Sequence, residues 1–94
     1  MSYVMVTQNV ADYARWKPIF DADAANRQAG GSKGGQLLRS ADDPTELVVL
    51  LEWDVLERAR QFAQSEEWHE VLQRAGVVDH PDIYFLKDGE QVSR

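Results

Sequence analysis

Residues 46–53 read ELVVLLEW, and this stretch decides the fold. Five apolar residues follow one another without a break, from Leu47 to Leu51. A strand with one face on a core and the other in water alternates apolar and polar side chains, because successive side chains point to opposite faces. The stretch therefore predicts a strand that is covered on both faces.

Three further strands are predicted outward from this one. Each combines apolar or β-branched residues with flanking turn residues; they are YVMVTQ (3–8), GQLLRS (35–40) and DIYFLK (82–87). ADDPTE separates the second strand from the third and is typical of a hairpin turn. With a helical region after the first strand and another after the third, the order is βαββαβ. This order predicts an α+β, ferredoxin-like fold with a four-stranded antiparallel sheet and its helices on one face.

The first helical region contains a proline at an awkward place. Asp12 is a plausible N-cap, and aromatic residues follow it at helical spacing. Because proline breaks a helix interior but is favourable at its first position, we predict a short turn over 12–16 and a main helix from near Pro18. Gly30 and Gly31 end it, and the glycine-rich stretch 30–35 reads as a flexible connection that could act as a lid.

The second helical region carries two start signals. Asp54 followed by Glu57 resembles a capping box, which predicts that a helix begins there. Ser65 before two glutamates predicts a second cap, so we expect the helix to bend and restart at this point. Residues 79–82 are predicted to form a turn before the last strand.

Composition limits the classes of function. The 94 residues predict a single domain over 1–88 followed by a polar tail, 89–94. The absence of cysteine excludes disulfides and thiolate catalysis. A net charge of −6 with scattered cations argues against nucleic-acid partners and anionic membranes. Without a signal peptide or membrane-spanning stretch, the expected location is cytoplasmic.

The apolar residues on both faces of the predicted sheet have a consequence for assembly. Helices cover one face only, so the other face needs a partner, and the simplest is the same face of a second copy. We therefore expect a homodimer that forms through the sheet.

These patterns resemble the dimeric α+β barrel superfamily, and within it the small antibiotic biosynthesis monooxygenase-like and cyclase-like proteins. The stretches that carry the resemblance are DYARWKPIFD (12–21), LRSADDP (38–44), VLLEWDVLERARQFAQS (49–65) and RAGV (74–77). The resemblance implies a cofactor-independent monooxygenase or cyclase-like protein acting on a small aromatic or polyketide-like molecule. The alternatives are a non-enzymatic small-molecule-binding or scaffold dimer of the same fold, and a dimer whose cavity is filled by its own side chains.

The resemblance also places a pocket between the sheet and the helices of each subunit. Aromatic and amide side chains are the expected substrate-binding residues: Asn9, Trp16, Phe20, Trp53, Phe62, Trp68 and Tyr84. The expected catalytic residues are His69 as a base, with His80 as the alternative base, Glu52 for proton transfer if it points inward, and Arg39 for anion stabilisation.

No cofactor and no metal are expected. Haem-degrading relatives use an Asn, a Trp and a His, but alignment places Phe62 and Leu72 where the Trp and His would stand. Without an axial imidazole, haem iron has no protein ligand at that place. Neither His69 nor His80 has the paired spacing of a zinc site.

Overall fold

The computed structural model describes residues 1–93, so Arg94 of the predicted tail lies outside the described residues. Its elements are β1 (Ser2–Val10), α1 (Tyr13–Ala22), α2 (Ala24–Gly30), β2 (Ser32–Arg39), β3 (Glu46–Trp53), α3 (Leu56–Ala63), α4 (Glu66–Arg74) and β4 (Val77–Lys87). The strands form one antiparallel sheet in the order β2-β3-β1-β4. This is the predicted ferredoxin-like α+β fold, with each predicted helical region divided into two helices.

The inner face of the sheet, which faces the helices, carries the core. Along β1 the buried residues are Val4, Val6, Gln8 and Val10, every second residue, as strand geometry requires. β3 is antiparallel to β1 with Val6 opposite Val49, and it adds its own inward-facing residues to the same core. The predicted strand over 46–53 is confirmed to the residue.

The predicted position of the first helix is wrong. α1 begins at Tyr13, where Asp12 acts as the N-cap and accepts a hydrogen bond from the Ala14 amide at 3.0 Å, and Pro18 lies inside the helix. The helix continues through Pro18 because its buried face packs on the core on both sides of the proline. Trp16 lies before it and is 2% exposed, and Phe20 follows it. Burying an aromatic side chain contributes about 2–3 kcal/mol, comparable with the cost of about 3 kcal/mol for an interior proline.

The second helical region is partly as predicted. α4 begins after Ser65, whose hydroxyl accepts a hydrogen bond from the Trp68 amide at 3.3 Å, so the restart is confirmed. Asp54, however, is not the cap of α3. Its carboxylate accepts from the adjacent Val55 amide at 2.6 Å and pairs with Arg58, and Val55 takes the N-cap position.

Two predicted loops are parts of strands. Residues 32–35 belong to β2, so the glycine-rich stretch is not a free lid. Residues 79–82 lie within β4, where Thr7 pairs with Asp82 but Asn9 pairs with Val78. The extra residues of β4 form a bulge opposite Gln8, and Asp79 takes a positive φ of 61° there. Pro81 fits this position because β4 is an edge strand.

The outer face of the sheet carries the second set of apolar residues. It includes Leu38, Tyr84 and Leu86, which are 50%, 46% and 42% exposed in the isolated chain. The tail lies along one margin of this face, where Gly89, Glu90 and Gln91 line a groove with Tyr3, Leu50 and Leu86. Leu38, Tyr84 and Leu86 nevertheless stay partly exposed. The outer face is thus a broad apolar surface, as the sequence predicts for β3 and its neighbours.

Candidate functional site

Two aromatic stacks stand over the inner face of the sheet. The first runs along α1, where residues three and four apart share one face of a helix. The Trp16 ring lies 5.9 Å from Tyr13 and 4.7 Å from Phe20, centroid to centroid. A guanidinium caps each end of this stack: Arg39 is 3.8 Å from the Tyr13 ring, and Arg27 is 3.9 Å from the Phe20 ring.

The second stack joins β3 to the helices that follow it. Phe62 of α3 lies 5.1 Å from Trp53 at the end of β3 and 6.1 Å from Trp68 of α4, with the rings tilted. The break between α3 and α4 is what turns Trp68 toward Phe62. His69 packs edge-on against Trp68 at 5.5 Å, on the exposed side of α4.

The end of α2 fixes the position of Trp53. The Trp53 indole donates to the Gly30 carbonyl at 2.9 Å, and the Asp54 amide donates to the Gly31 carbonyl at 2.9 Å. Gly31 has a φ of 117°, and a Cβ there would lie 2.4 Å from the Asp54 carboxylate, so only glycine fits. Arg58 adds a third link by donating to the Ala29 carbonyl at 2.8 Å.

An inner cavity lies between the two stacks and the sheet. All three tryptophans of the chain line it, together with Phe20, Phe62 and aliphatic residues of β1, β3, α3 and α4. Its free space is about 40 Å³. Since a buried water needs about 10–15 Å³ by this measure, there is room for about three water molecules. The cavity is therefore narrow and largely apolar, but it is not completely filled.

Gln8 is the polar group in the floor of this cavity. Its side chain is 7% exposed, and its amide oxygen is buried without a hydrogen-bond partner among residues 1–93. Leaving such a group unpaired costs about 1–3 kcal/mol. The strand bulge of β4 lies directly opposite Gln8, and bulges of this kind commonly re-aim side chains next to functional sites. An unpaired acceptor here is a ready partner for a ligand's hydroxyl or N–H group.

Two charged residues lie at the rim of the cavity: Asp23 on the connection from α1 to α2, and Arg27 within α2. Asp23 accepts a hydrogen bond from the Asn26 side chain at 3.2 Å, and Arg27 donates to the Phe20 carbonyl at 2.7 Å. Burial lowers the pKa of Arg27, while Asp23 and Asp21 partly oppose this change. Arg27 remains a cation at neutral pH, so its charge stands in a partly dehydrated setting where an anion would be favoured.

The structure brings five of the seven predicted binding residues to the cavity: Trp16, Phe20, Trp53, Phe62 and Trp68. The other two lie elsewhere. Tyr84 points to the outer face, opposite Met5, and Asn9 is exposed at the end of β1.

The three predicted catalytic residues do not line the cavity or meet one another. Glu52 points to the outer face because its neighbour Trp53 points inward. Arg39 is occupied by the Tyr13 ring and by the Pro44 carbonyl, to which it donates at 3.2 Å. His69 is exposed beside Trp68.

Sequence reasoning missed the three polar residues that do line the cavity, Gln8, Asp23 and Arg27. The alternation along β1 could have indicated Gln8, because it shares the parity of Val4 and Val6 and so faces the core. Asp23 and Arg27 gave no such signal, since charged residues near a helix end are ordinarily solvated.

Solved structures from bacteria share this fold. A candidate antibiotic biosynthesis monooxygenase from Bordetella bronchiseptica superposes with a TM-score of 0.78 at 16% identity, over 95% of this chain and 97% of that one. SnoaB, a cofactor-independent oxygenase from Streptomyces nogalater, gives 0.74 at 14% identity, over 99% and 96%. A candidate antibiotic biosynthesis monooxygenase from Caulobacter crescentus gives 0.73 at 21% identity, over 95% and 90%.

At these identities the similarity establishes architecture alone. No family model matches the sequence, and no curated protein matches it. None of the helices in residues 1–93 is long and apolar enough to cross a membrane. The chain shares the ferredoxin-like α+β fold of these solved antibiotic biosynthesis monooxygenase structures.

Proposed function

We propose that the inner cavity binds a small planar phenol or enol, and that the protein oxygenates such a molecule without a cofactor. The observation that carries this proposal is the unpaired, buried amide oxygen of Gln8 within a cavity walled by aromatic rings. Because the free space is only about 40 Å³, the aromatic walls would have to move apart to admit a flat ligand, which they would then hold by stacking. Gln8 would accept a hydrogen bond from the ligand's hydroxyl group. The shared architecture with SnoaB, which is a cofactor-independent oxygenase, supports the choice of reaction.

The reaction would proceed at a CH₂ group of the substrate that is acidic because its carbanion is conjugated with a carbonyl, directly or through an aromatic ring. Asp23, the carboxylate at the rim, would accept a proton from this carbon, and Arg27 would stabilise the enolate that forms. The carbanion passes one electron to O₂, and the two radicals combine and take up a proton to give a hydroperoxide. Loss of water then converts CH₂ and O₂ into a new carbonyl group and one H₂O.

Anthrone is a suitable substrate probe because its CH₂ group lies between two rings and opposite a ketone. We expect the protein to accelerate conversion of anthrone to anthraquinone, with one O₂ consumed per product, relative to the rate in buffer. The Gln8→Met variant should lose most of this acceleration. Gln8 would accept a hydrogen bond from the hydroxyl of anthranol, the enol tautomer of anthrone, and so hold the ring in place. Its loss should cost about tenfold in rate, corresponding to about 1.4 kcal/mol.

Binding without turnover would instead support the non-enzymatic alternative. The observation that favours it is that Asp23 and Arg27 are the only ionisable residues lining the inner cavity in residues 1–93, and both lie at its rim. Calorimetric titration with 2-naphthol separates the cases, and tryptophan emission gives a second reading because all three tryptophans line the cavity. If 2-naphthol binds while oxygen uptake with anthrone stays at the buffer rate, the protein is a non-enzymatic small-molecule-binding protein. If 2-naphthol does not bind, the aromatic residues around the cavity serve core packing alone.

A further inference from the structure

A second cavity adjoins the first, and it differs from it in chemistry. This outer groove lies between α1, α2 and β2, holds about 240 Å³, and shares Phe20 and Arg27 with the inner cavity. Phe20 is therefore a wall common to both spaces. Val49 and Leu51 of the sheet also line both spaces, so the two cavities are neighbours along the same part of β3, and Phe20 is the aromatic side chain between them.

The outer groove is lined by cations and hydrogen-bond donors. Lys17 and Arg27 contribute positive charge, and Gln28 and Ser32 contribute polar groups. No Asp or Glu is among its lining residues in the described part of the chain. Two cations thus face the groove on a protein whose net charge is −6, while the nearest carboxylates, Asp21 and Asp23, lie beside the groove and not in its lining.

Both cations retain capacity for a further acceptor. The guanidinium of Arg27 can donate five hydrogen bonds, yet within residues 1–93 it makes one, to the Phe20 carbonyl at 2.7 Å. Lys17 pairs with Asp21 at 2.5 Å, but both side chains are exposed, and an exposed pair of this kind contributes only about 0–1 kcal/mol. Burial lowers the pKa of Arg27, so an anion beside it would relieve an existing cost.

We propose that the outer groove is a carboxylate subsite, so that the ligand is an aromatic hydroxy acid that places its ring and hydroxyl in the inner cavity and its carboxylate between Arg27 and Lys17. This inference rests on the proposed function, because it extends the same site. The ligand enters past Phe20, whose ring moves off Trp16 to admit it. Specificity then comes from two ends: Gln8 recognises the hydroxyl, and the two cations recognise the acid.

Calorimetric comparison of 6-hydroxy-2-naphthoate with 2-naphthol tests the subsite directly, because the two differ only by the carboxylate at the far end of the ring system. A charge-assisted bidentate contact with Arg27 should make the acid bind about tenfold more tightly. Raising the salt concentration should reduce this preference, because the groove is partly open to solvent.

Three variants complete the test. Arg27→Gln should abolish the preference for the acid. Lys17→Gln should reduce it about threefold and, because Lys17 does not line the inner cavity, should change the affinity for 2-naphthol by no more than about twofold. Lys33→Gln is the matched control: it removes the same charge from an exposed lysine of β2 that does not line the groove. Lys17 is exposed, so its variant reports on the subsite even if Arg27→Gln unfolds.

The outcomes distinguish a failure of the carboxylate subsite from a failure of the proposed function. Equal affinity for both ligands, or a preference that survives both Lys17→Gln and Arg27→Gln, overturns the carboxylate subsite and leaves the proposed function standing. A failure of both ligands to bind overturns the proposed function and the subsite together.

Discussion

At the scale of single residues, Gln8 is the polar side chain whose burial is not offset by a hydrogen bond to its amide oxygen. The side chain is 7% exposed among valines of the same strand, and its amide oxygen finds no partner among residues 1–93. An apolar residue of similar shape would fill the position at lower free energy. Proteins keep such groups mainly where function needs them, and this is why we assign Gln8 to ligand binding.

Replacing Gln8 by methionine should therefore stabilise the protein and weaken its ligand. We expect Gln8→Met to raise the free energy of unfolding by about 1–3 kcal/mol, because the unpaired amide is removed at similar volume. The affinity for 2-naphthol should fall about tenfold, because the ligand hydroxyl loses its acceptor. Urea unfolding and calorimetric titration measure the two effects.

Gln73→Met provides the matched control. Gln73 is exposed on α4 and does not line the inner cavity. The same chemical change there should alter stability by no more than about 0.5 kcal/mol and leave 2-naphthol binding unchanged. A Gln8→Met protein that is destabilised and binds 2-naphthol normally would show that the amide has a structural partner and no role in binding.

At the scale of elements, α1 holds the first aromatic stack despite Pro18. The proline removes the amide that would bond one turn back and crowds the carbonyl there. Because Pro18 is exposed and contributes nothing to the inner cavity, α1 carries its cost without a packing benefit at that residue. The gain comes from Trp16 and Phe20 on the buried side of the same helix.

Pro18→Ala should consequently stabilise the protein. We expect the free energy of unfolding to rise by about 1–2 kcal/mol, since the recovered helix propensity exceeds the added entropy of the unfolded chain. Pro44→Ala is the opposite control, because Pro44 lies in the turn between β2 and β3 and its replacement should cost about 0.4–1 kcal/mol. If Pro18→Ala instead destabilises the protein, the proline has a favourable role in α1 that this explanation lacks.

Some of these elements follow from local sequence patterns, and others depend on tertiary contacts. The strand over 46–53 and the restart at Ser65 were predictable because periodicity and capping act locally. The path of α1 through Pro18 was not predictable from local patterns, because it depends on the tertiary burial of Trp16. The bulge in β4 was also hidden, because residues 79–82 have turn chemistry and only pairing with β1 keeps them in the sheet. The spacing of the aromatic residues predicted the walls of the inner cavity, whereas nothing in the sequence predicted Asp23 and Arg27 at its rim.

At the scale of the whole molecule, we propose that the outer face pairs with the same face of a second copy. The exposed apolar side chains at its margins, Leu38 and Leu86, and the apolar side chains of β3 between them support this arrangement. Neither the cavity nor the groove opens on that face, because both lie on the side of the sheet that carries the helices. Dimerisation would therefore leave ligand access unobstructed.

A charge on the outer face should break this dimer. Light scattering should give twice the chain mass for the wild type, while Leu38→Lys should shift the dimer dissociation constant at least about tenfold, because a buried charge without a partner is costly. Val55→Lys is matched in exposure, 51% against 50% for Leu38, but Val55 lies between β3 and α3. A wild type that is monomeric at micromolar concentration, or equal effects of the two variants, would contradict the proposed interface.

Both the proposed function and the carboxylate subsite require that the inner cavity binds an aromatic hydroxyl compound through Gln8. The most direct measurement is a crystal structure of the protein grown with 2-naphthol. We predict that the naphthol ring lies between Trp16 and Trp53, with its hydroxyl within about 3 Å of the Gln8 amide oxygen. An inner cavity without naphthol while the compound binds elsewhere, or a Gln8 amide that bonds only to the protein, would contradict the account.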